Sequence, residues 1–252
     1  MPNTLCVYEF SPTGGTRRAA ALFCEAFGGA VDYVDLMRVP EAAEAVCDLA
    51  VIAMPVYGGR IPAVAAERLK RIGGAGKPAV TLAVYGNRAY EDALLELNEL
   101  AKCCGFRVLA SAAVIAQHSV VPAVGAGRPD AADEASLAEF AAKVAKKLER
   151  GEDSPVQVPG SAEYKPAMSM PVSPQSGEGC IRCGACAAAC PVSAVSLEEA
   201  GVVTDSAACM LCMACTAACP AGVRALPGPV QDMMGQMLAP FAELRKENEY
   251  FL

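Results

Sequence analysis

The chain has 252 residues, 13 cysteines and a formal net charge of −7 at pH 7. This length suffices for one large domain or two small ones with a conventional buried core. The acidic balance argues against a nucleic-acid partner, because such a protein needs a basic face to displace counterions from phosphate.

The start of the chain, MPNTLCVYEF, lacks the basic and long apolar regions of a signal peptide. Two uncharged stretches, 108–127 and 206–223, are as long as a membrane span, but polar residues, one proline and two glycines interrupt the first and four cysteines the second. We therefore expect a cytoplasmic protein without a membrane partner. In a reducing cytosol, clustered cysteines indicate metal or redox chemistry rather than disulfides.

Short apolar runs in the first 150 residues predict five β-strands, at 5–10, 31–36, 49–54, 79–85 and 106–115. Segments with apolar residues three and four positions apart predict helices at 17–27, 63–72, 90–105 and 133–150. Strands with almost no polar alternation are buried on both faces, as in a parallel sheet covered by helices. The pattern predicts an α/β domain over residues 1–150, a doubly wound five-stranded parallel sheet built from five β–α pairs.

Three further regions follow this domain. Residues 151–178 contain five prolines among Gly and Ser and predict a stiff, extended linker that lies along the surface. Residues 179–228 hold eight of the cysteines and form a separate module. Residues 229–252 are helical in pattern but too short to stand alone, so this tail should dock on one of the two domains.

The cysteine module contains the same four-cysteine run twice. The first is Cys180-x2-Cys183-x2-Cys186-x3-Cys190-Pro, and the second is Cys209-x2-Cys212-x2-Cys215-x3-Cys219-Pro. Three thiolates at three-residue intervals suit three irons of one cubane cluster. A pair of zinc sites is the alternative, although zinc modules more often use two separated Cys-x2-Cys knuckles.

In its cysteine spacing the module resembles a bacterial two-cluster ferredoxin, a small α+β domain. In that family the fourth cysteine of each run ligates the other cluster. The resemblance therefore implies two [4Fe–4S] clusters with exchanged fourth ligands. The first would be held by Cys180, Cys183, Cys186 and Cys219, and the second by Cys209, Cys212, Cys215 and Cys190.

The first strand leads into a loop, Ser11-Pro12-Thr13-Gly14-Gly15-Thr16, that opens directly into a helix. An anionic ligand sits at such a helix N-terminus in doubly wound sheets. The loop has hydroxyls and glycines but no lysine, which suits a phosphomonoester and excludes the nucleoside-triphosphate P-loop. The alternative is an ordinary glycine-containing turn.

The loop matches the Ser/Thr-x-Thr-Gly-x-Thr signature of flavodoxins, and the domain resembles that family. The resemblance implies FMN, with its phosphate held by Ser11, Thr13, Gly14, Gly15 and Thr16. It places the isoalloxazine ring between the loops after the third and fourth strands. The predicted contacts there are Pro55, Tyr57, Gly58, Gly59, Tyr85, Gly86, Asn87 and Tyr90. Each tyrosine could equally be a core residue at a strand end.

Three further residues are candidates for catalysis. Arg60 and Arg88 lie in the two flavin loops, where a cation near the ring would stabilise the reduced anion. His118, the only histidine, lies in the long loop after the fifth strand and could donate a proton to a reduced product. The alternative is that all three are solvated surface residues.

Together these features resemble iron–sulfur flavoproteins of anaerobes, in which a flavodoxin is fused to a two-cluster ferredoxin. The resemblance implies an electron-transfer protein that exchanges electrons between FMN and the clusters and serves a partner redox protein or a small-molecule acceptor. Two alternatives stay open, an FMN-dependent reductase with its own small-molecule substrate and a redox sensor or scaffold. The sequence leaves a homodimer open as well.

Overall fold

The computed structural model describes residues 2–168 and 170–252. Its main sheet contains five parallel strands: β1 Thr4–Glu9, β2 Ala30–Asp35, β3 Leu49–Pro55, β4 Pro78–Tyr85 and β5 Arg107–Ile115. Their spatial order is β2-β1-β3-β4-β5. This is the flavodoxin-like order of a doubly wound fold, and it reverses direction between β1 and β3. Ligands bind beside the carboxyl ends of the strands at such a reversal.

Four helices cover the two faces of the sheet: α1 Gly15–Glu25, α2 Ala63–Leu69, α3 Ala93–Cys103 and α4 Ala131–Glu149. Residues of α1 and α4 share one buried apolar cluster with the sheet, and residues of α2 and α3 share another. The strands β3 and β4 between them are almost wholly buried, which explains their uninterrupted apolar sequences.

The expectation of five β–α pairs is wrong, because residues 36–48 between β2 and β3 form no helix. The segment instead contains a two-residue strand, Ala43–Glu44, paired with Ile72–Gly73. Pro40 in its middle lacks the N–H group that a helix interior needs.

The cysteine module is built from short strands and two short helices. In chain order these are β6 Gln175–Ser176, α5 Ala185–Ala189, β7 Val195–Glu198, β8 Gly201–Thr204, α6 Ala214–Ala217 and β9 Arg224–Ala225. The strands form two antiparallel pairs, β7 with β8 and β6 with β9. Because β6 belongs to the second pair, the last residues of the predicted linker are part of the module.

The remaining linker lies against the flavodoxin-like domain. The Asp92 carboxylate accepts hydrogen bonds from the backbone N–H groups of Ser161 and Lys165, both at 2.9 Å. The Lys165 ammonium pairs with Glu91 at 2.5 Å, and Val156 is buried in the core beneath α3. These contacts therefore hold the linker in one conformation against the domain.

The tail begins with helix α7, Gly228–Leu238, and a 3-10 turn, Ala239–Phe241. It then departs from the helical expectation, because Glu249–Phe251 forms a strand, β10, antiparallel to β5. The sheet is consequently six-stranded and mixed rather than five-stranded and parallel. Tyr250 of β10 stacks on Phe140 of α4, with ring centroids 4.7 Å apart, so an apolar contact offsets the short length of the strand.

No helix among the described residues is long and apolar enough to cross a membrane.

Candidate functional site

The structure gathers the cysteines into two groups of four, each around its own small cavity. The first cavity is lined by Cys180, Cys183, Cys186 and Cys219. The second is lined by Cys190, Cys209, Cys212 and Cys215. These are the quartets that the ferredoxin resemblance implies, with the fourth cysteine of each run placed beside the first three of the other.

Local backbone conformation explains how three cysteines of a run face one cavity. Gly184 precedes α5 in the left-handed region, with φ of +79°, and Met213 precedes α6 at +63°. Each sharp turn leads into a short helix whose cysteine, Cys186 or Cys215, lines the same cavity as the two preceding cysteines of its run. Met213 adopts this conformation without being glycine, which costs free energy that the surrounding structure offsets.

The cysteine sulfurs receive backbone hydrogen bonds, as iron–sulfur ligands do. The Cys190 Sγ atom accepts from the Ala194 N–H at 3.2 Å. Backbone N–H groups, that of Val223 foremost, lower the pKa of the Cys219 thiol. Burial acts in the other direction at Cys212 and raises its pKa to about 12, so binding of iron there must release a proton.

Each quartet of thiols lines a cavity of its own. Within residues 2–168 and 170–252, no group of three or more His, Cys, Asp or Glu side chains has the arrangement of a single-ion site.

A larger cavity of about 460 Å³ lies at the carboxyl ends of β1, β3, β4 and β5. Its size is within the range of small-molecule and cofactor sites. Eight of the residues predicted to bind FMN line it: Thr13, Gly15, Thr16, Pro55, Tyr57, Gly58, Tyr85 and Gly86. The reversal of strand order therefore brings the phosphate loop and both flavin loops to one site.

The phosphate loop has the backbone geometry of an anion site. Gly14 has φ of +88°, and the Ser11 Oγ atom accepts a hydrogen bond from the Arg17 N–H at 2.9 Å, which ties the loop to α1. The N–H groups in the first turn of a helix have no acceptor within that helix, and since Ser11 accepts from that of Arg17, those of Gly15 and Thr16 are left to bind a phosphate. A Cβ atom on Gly15 would lie 3.2 Å from the Ala116 side chain, so a larger residue there would require this neighbour to shift.

Tyr57 stands between the large cavity and the second cysteine quartet. Burial raises the pKa of its hydroxyl well above the usual value, and the nearby Cys212 raises it further. Leu211, the residue before Cys212, also lines the large cavity. Cys209 of the second quartet packs in one apolar cluster with Leu211 and Leu226, so this quartet lies beside the predicted flavin site.

Several predicted contacts lie away from the lining of the large cavity. The Ser11 side chain caps α1, and Gly14 lines a neighbouring cavity on the outer side of the phosphate loop. Gly59 packs against Glu91. The Asn87 amide donates to the carbonyls of Phe241 and Leu244 in the tail, and the Tyr90 hydroxyl donates to Glu249 at 2.7 Å.

Arg60 does not line the large cavity either. Its guanidinium makes two hydrogen bonds to the Glu96 carboxylate, at 2.7 and 2.6 Å, and one to the Lys165 carbonyl at 2.6 Å. It also lies over the Tyr164 ring, 4.7 Å from the centroid. These contacts give Arg60 the role of an anchor for the linker.

Arg88 and His118, in contrast, line the large cavity together. The His118 Nδ1 atom accepts hydrogen bonds from the N–H groups of Val120 and Val121, at 3.2 and 3.1 Å. Burial, and then the charge of Arg88, lower the pKa of His118 below its usual 6.5. The imidazole is therefore neutral near pH 7, with its proton on Nε2, and acts as a hydrogen-bond donor rather than as a cationic acid.

The roof of the large cavity was not predicted from the sequence. It consists of apolar side chains from the linker, the cysteine module and α7: Met168, Met170, Val172, Leu211, Leu226, Val230, Met234, Met237 and Leu238. The sequence contains one signal of this roof, because the helical segment VQDMMGQML has an apolar face that no predicted element covers. Methionine side chains are flexible and polarisable, so they can fit against a planar aromatic ring.

Residues 179–223 match the protein family described as a 4Fe-4S dicluster domain. The chain is therefore a fusion of an α/β domain with flavodoxin-like strand order and a region that matches a 4Fe-4S dicluster domain. The family match covers the region of both quartets, and the strand order defines the fold of the domain before it. No curated protein matches the fusion in sequence.

Solved structures similar to the fusion correspond to its N-terminal part. One is the rubredoxin oxygen:oxidoreductase of the anaerobe Desulfovibrio gigas, at 18% identity and a TM-score of 0.44, with 60% of this chain and 37% of that chain covered. A flavodoxin of Streptococcus pneumoniae TIGR4 has 19% identity and a TM-score of 0.40, with 57% and 98% covered. The flavodoxin WrbA-like protein of Agrobacterium tumefaciens has 14% identity and a TM-score of 0.43, with 60% and 99% covered.

Proposed function

We propose that the fusion is an electron-transfer iron–sulfur flavoprotein that passes electrons between two [4Fe–4S] clusters and FMN and serves a partner redox enzyme. When bound, FMN exchanges two electrons and each cluster exchanges one, so the protein converts between two-electron and one-electron carriers. The observation that carries the proposal is the position of the second quartet beside the large cavity. Leu211, which lies between Cys209 and Cys212 in the sequence, lines that cavity, and Cys209 packs in the same apolar cluster as Leu226 of its roof.

The two quartets differ in their access to solvent. Cys183 of the first quartet is exposed, whereas Cys212 and Cys215 of the second are buried. The first quartet is therefore placed to meet an external carrier, and the second to face the flavin cavity.

The test uses protein reconstituted with FMN, iron and sulfide under anaerobic conditions and mixed rapidly with a low-potential one-electron donor. Flavin bleaching should follow bleaching of the clusters in the wild-type protein. Cys212→Ser should slow flavin bleaching at least about tenfold, since about 1.4 kcal/mol added to a barrier has that effect. Cys103→Ser is the matched control, because Cys103 is an exposed cysteine on α3 outside both quartets, and it should leave the rate unchanged.

Iron, sulfide and FMN contents measured on each variant separate loss of a cofactor from loss of transfer. Wild-type protein that takes up no FMN would contradict the proposal. So would a Cys212→Ser variant that lacks the second cluster and still reduces its flavin at the wild-type rate.

A second candidate function is an FMN-dependent reductase with its own small-molecule substrate. Arg88 and His118 favour it, because a cation and a neutral donor line the same cavity. Turnover of small anionic acceptors by the chemically reduced protein would support this function. Loss of that turnover in Arg88→Met, with flavin content unchanged, would place the acceptor beside Arg88.

A further inference from the structure

Arg224 is a buried cation inside the cysteine module. Only 4% of its surface is exposed, and it lies in β9. Its Nη1 atom donates to the Ser176 hydroxyl at 3.0 Å, and its Nη2 atom donates to the Thr204 hydroxyl. Its Nε atom is buried without a hydrogen-bond partner, and the described part of the chain provides no carboxylate for the guanidinium.

Such a charge is costly unless something compensates it. Transfer of an ion from water into a protein interior costs several kcal/mol even after relaxation, and two neutral hydroxyls supply only part of the lost solvation. A lysine or histidine could lose its proton in response, but an arginine stays charged. An anion that binds nearby is therefore the natural counter-ion of Arg224.

The surroundings of Arg224 identify this anion. Arg224 lines the same cavity as Cys180, Cys183, Cys186 and Cys219. It is also linked to the second quartet, because Thr204, whose hydroxyl accepts a hydrogen bond from Arg224, lines the cavity of that quartet. The guanidinium thus lies between the two groups of thiols.

The internal repeat has an apolar residue at the position equivalent to Arg224. Arg224 is the fifth residue after Cys219, and the fifth residue after Cys190 in the first run is Val195. Val195 is buried to a similar extent, at 7% exposure, and packs on Cys186 and Cys215. The two halves of the module therefore place an apolar side chain and a cation at equivalent positions.

We propose that Arg224 is a built-in counter-ion shared by the two cluster sites, which raises the reduction potential of both clusters and that of the first cluster more. A [4Fe–4S] cluster with four thiolate ligands is an anion, and it gains a further negative charge when it accepts an electron. A fixed cation in a medium of low dielectric constant stabilises the more negative, reduced state more strongly. The inference rests on the part of the proposed function in which both clusters are bound, and it does not depend on the flavin.

The experiment compares Arg224→Val, which copies the first half of the repeat, with wild-type protein reconstituted with iron and sulfide alone. Potentiometric titration followed by electron paramagnetic resonance gives a potential for each cluster. Both potentials should shift to lower values in Arg224→Val, and the shift should be larger for the first cluster. Arg182→Gln is the matched control, because Arg182 lines the same cavity but is exposed, so water screens its charge and its removal should produce a much smaller shift.

Arg224→Gln is a second neutral variant, to be measured if Arg224→Val does not assemble its clusters. Glutamine keeps an N–H donor for the two hydroxyls but carries no charge, and it should lower the potentials as valine does. Arg224→Lys, which keeps the charge, should restore most of the wild-type values.

Unchanged potentials in a neutral variant with full iron content would overturn the proposal, as would a shift no larger than that of Arg182→Gln. Wild-type protein that assembles no cluster would instead contradict the proposed function itself. The two failures are therefore distinguishable.

Discussion

The carboxylate of Glu9 is fully buried at the end of β1, directly before the phosphate loop. Its Oε1 atom accepts a hydrogen bond from Arg17 Nε at 2.6 Å, while Oε2 has no partner. Burial raises the pKa of Glu9 above its usual 4.5, and Arg17 opposes this effect. A buried carboxylate beside the predicted phosphate site therefore depends on one half-exposed arginine.

We expect Arg17→Ala to lower the free energy of unfolding by about 2 kcal/mol near pH 7. This is less than the usual cost of breaking a fully buried pair, because half of the Arg17 side chain is exposed. The double variant Glu9→Gln/Arg17→Ala should recover most of the loss, since it also removes the buried charge. Urea denaturation of the three proteins measures both effects, and equal stability of the single and double variants would contradict this account.

The same carboxylate gives a pH dependence with a defined sign. Because the folded state raises the pKa of Glu9, it holds the proton more tightly than the unfolded chain does. The contribution of Glu9 to stability is therefore greatest below pH 4.5 and is lost as the pH rises through the folded-state pKa. Glu9→Gln should flatten that part of the stability profile relative to wild type.

His118 allows a direct test at the predicted flavin site, because it is the only histidine in the chain. Its ring protons should titrate with a pKa below 6.5, and its ring nitrogens should show the tautomer with the proton on Nε2. Arg88→Met should raise this pKa, since a positive charge beside the ring disfavours its protonation. Nuclear magnetic resonance of the single imidazole measures all three, and a pKa above 6.5 in the wild-type protein would contradict the geometry.

At the scale of elements, periodicity predicted the five parallel strands and four helices to within a few residues. In a buried strand or an amphipathic helix, the hydrophobic pattern of the residues reflects which of them are buried. The apolar run LAVIAMP could therefore be recognised as β3. The strand β10 could not, because Glu249–Phe251 is only three residues long and is stabilised by partners far away in the sequence.

The residues of the candidate site also fall into those that a local motif predicts and those whose surroundings come from distant segments. The phosphate loop and the two cysteine runs are local motifs, so the sequence predicted their residues directly. The surroundings of Arg60 and Asn87 depend on the linker and tail, whose courses no local pattern encodes, and both side chains lie in anchoring contacts instead of the large cavity. The roof was missed for the same reason, since three separate segments build it.

The tail is attached through Asn248 at the edge of the sheet. Its Oδ1 atom accepts a hydrogen bond from the Ile115 N–H at 2.8 Å, and its Nδ2 atom donates to the buried carboxylate of Asp133 at 3.0 Å. Asn248→Asp places a second carboxylate against Asp133 and removes the donor. We expect this change to cost about 2 kcal/mol and to release β10 from β5.

Hydrogen exchange at the Phe251 and Ile115 amides reads out the release of the strand. Glu247→Gln is the control, since Glu247 is an exposed neighbour whose charge, among the residues that the structure describes, pairs only with Arg245, and it should change stability by less than about 0.5 kcal/mol. Unaltered protection of β10 in Asn248→Asp would show that the strand is held by other contacts, such as the stacking of Tyr250 on Phe140.

At the scale of the whole molecule, the two domains differ in what holds them together. The flavodoxin-like domain has two large apolar clusters, one on each face of its sheet. The module has little comparable packing, and one of its clusters consists of Cys186, Cys215 and Val195. With its buried thiols and the buried charge of Arg224, the module is suited to fold around metal rather than around an apolar core.

Removal of iron should therefore unfold the module and leave the other domain intact. In protein treated anaerobically with a chelator, we expect the amides of residues 180–219 to lose their protection from hydrogen exchange, while those of β3 and β4 keep theirs. The roof of the flavin cavity should loosen as well, because Leu211 and Leu226 come from the module, so the apoprotein should release FMN faster than the cluster-bound protein. A module that stays protected without iron would show that its hydrogen bonds and few apolar contacts suffice, and the clusters would then have no structural role in closing the flavin site.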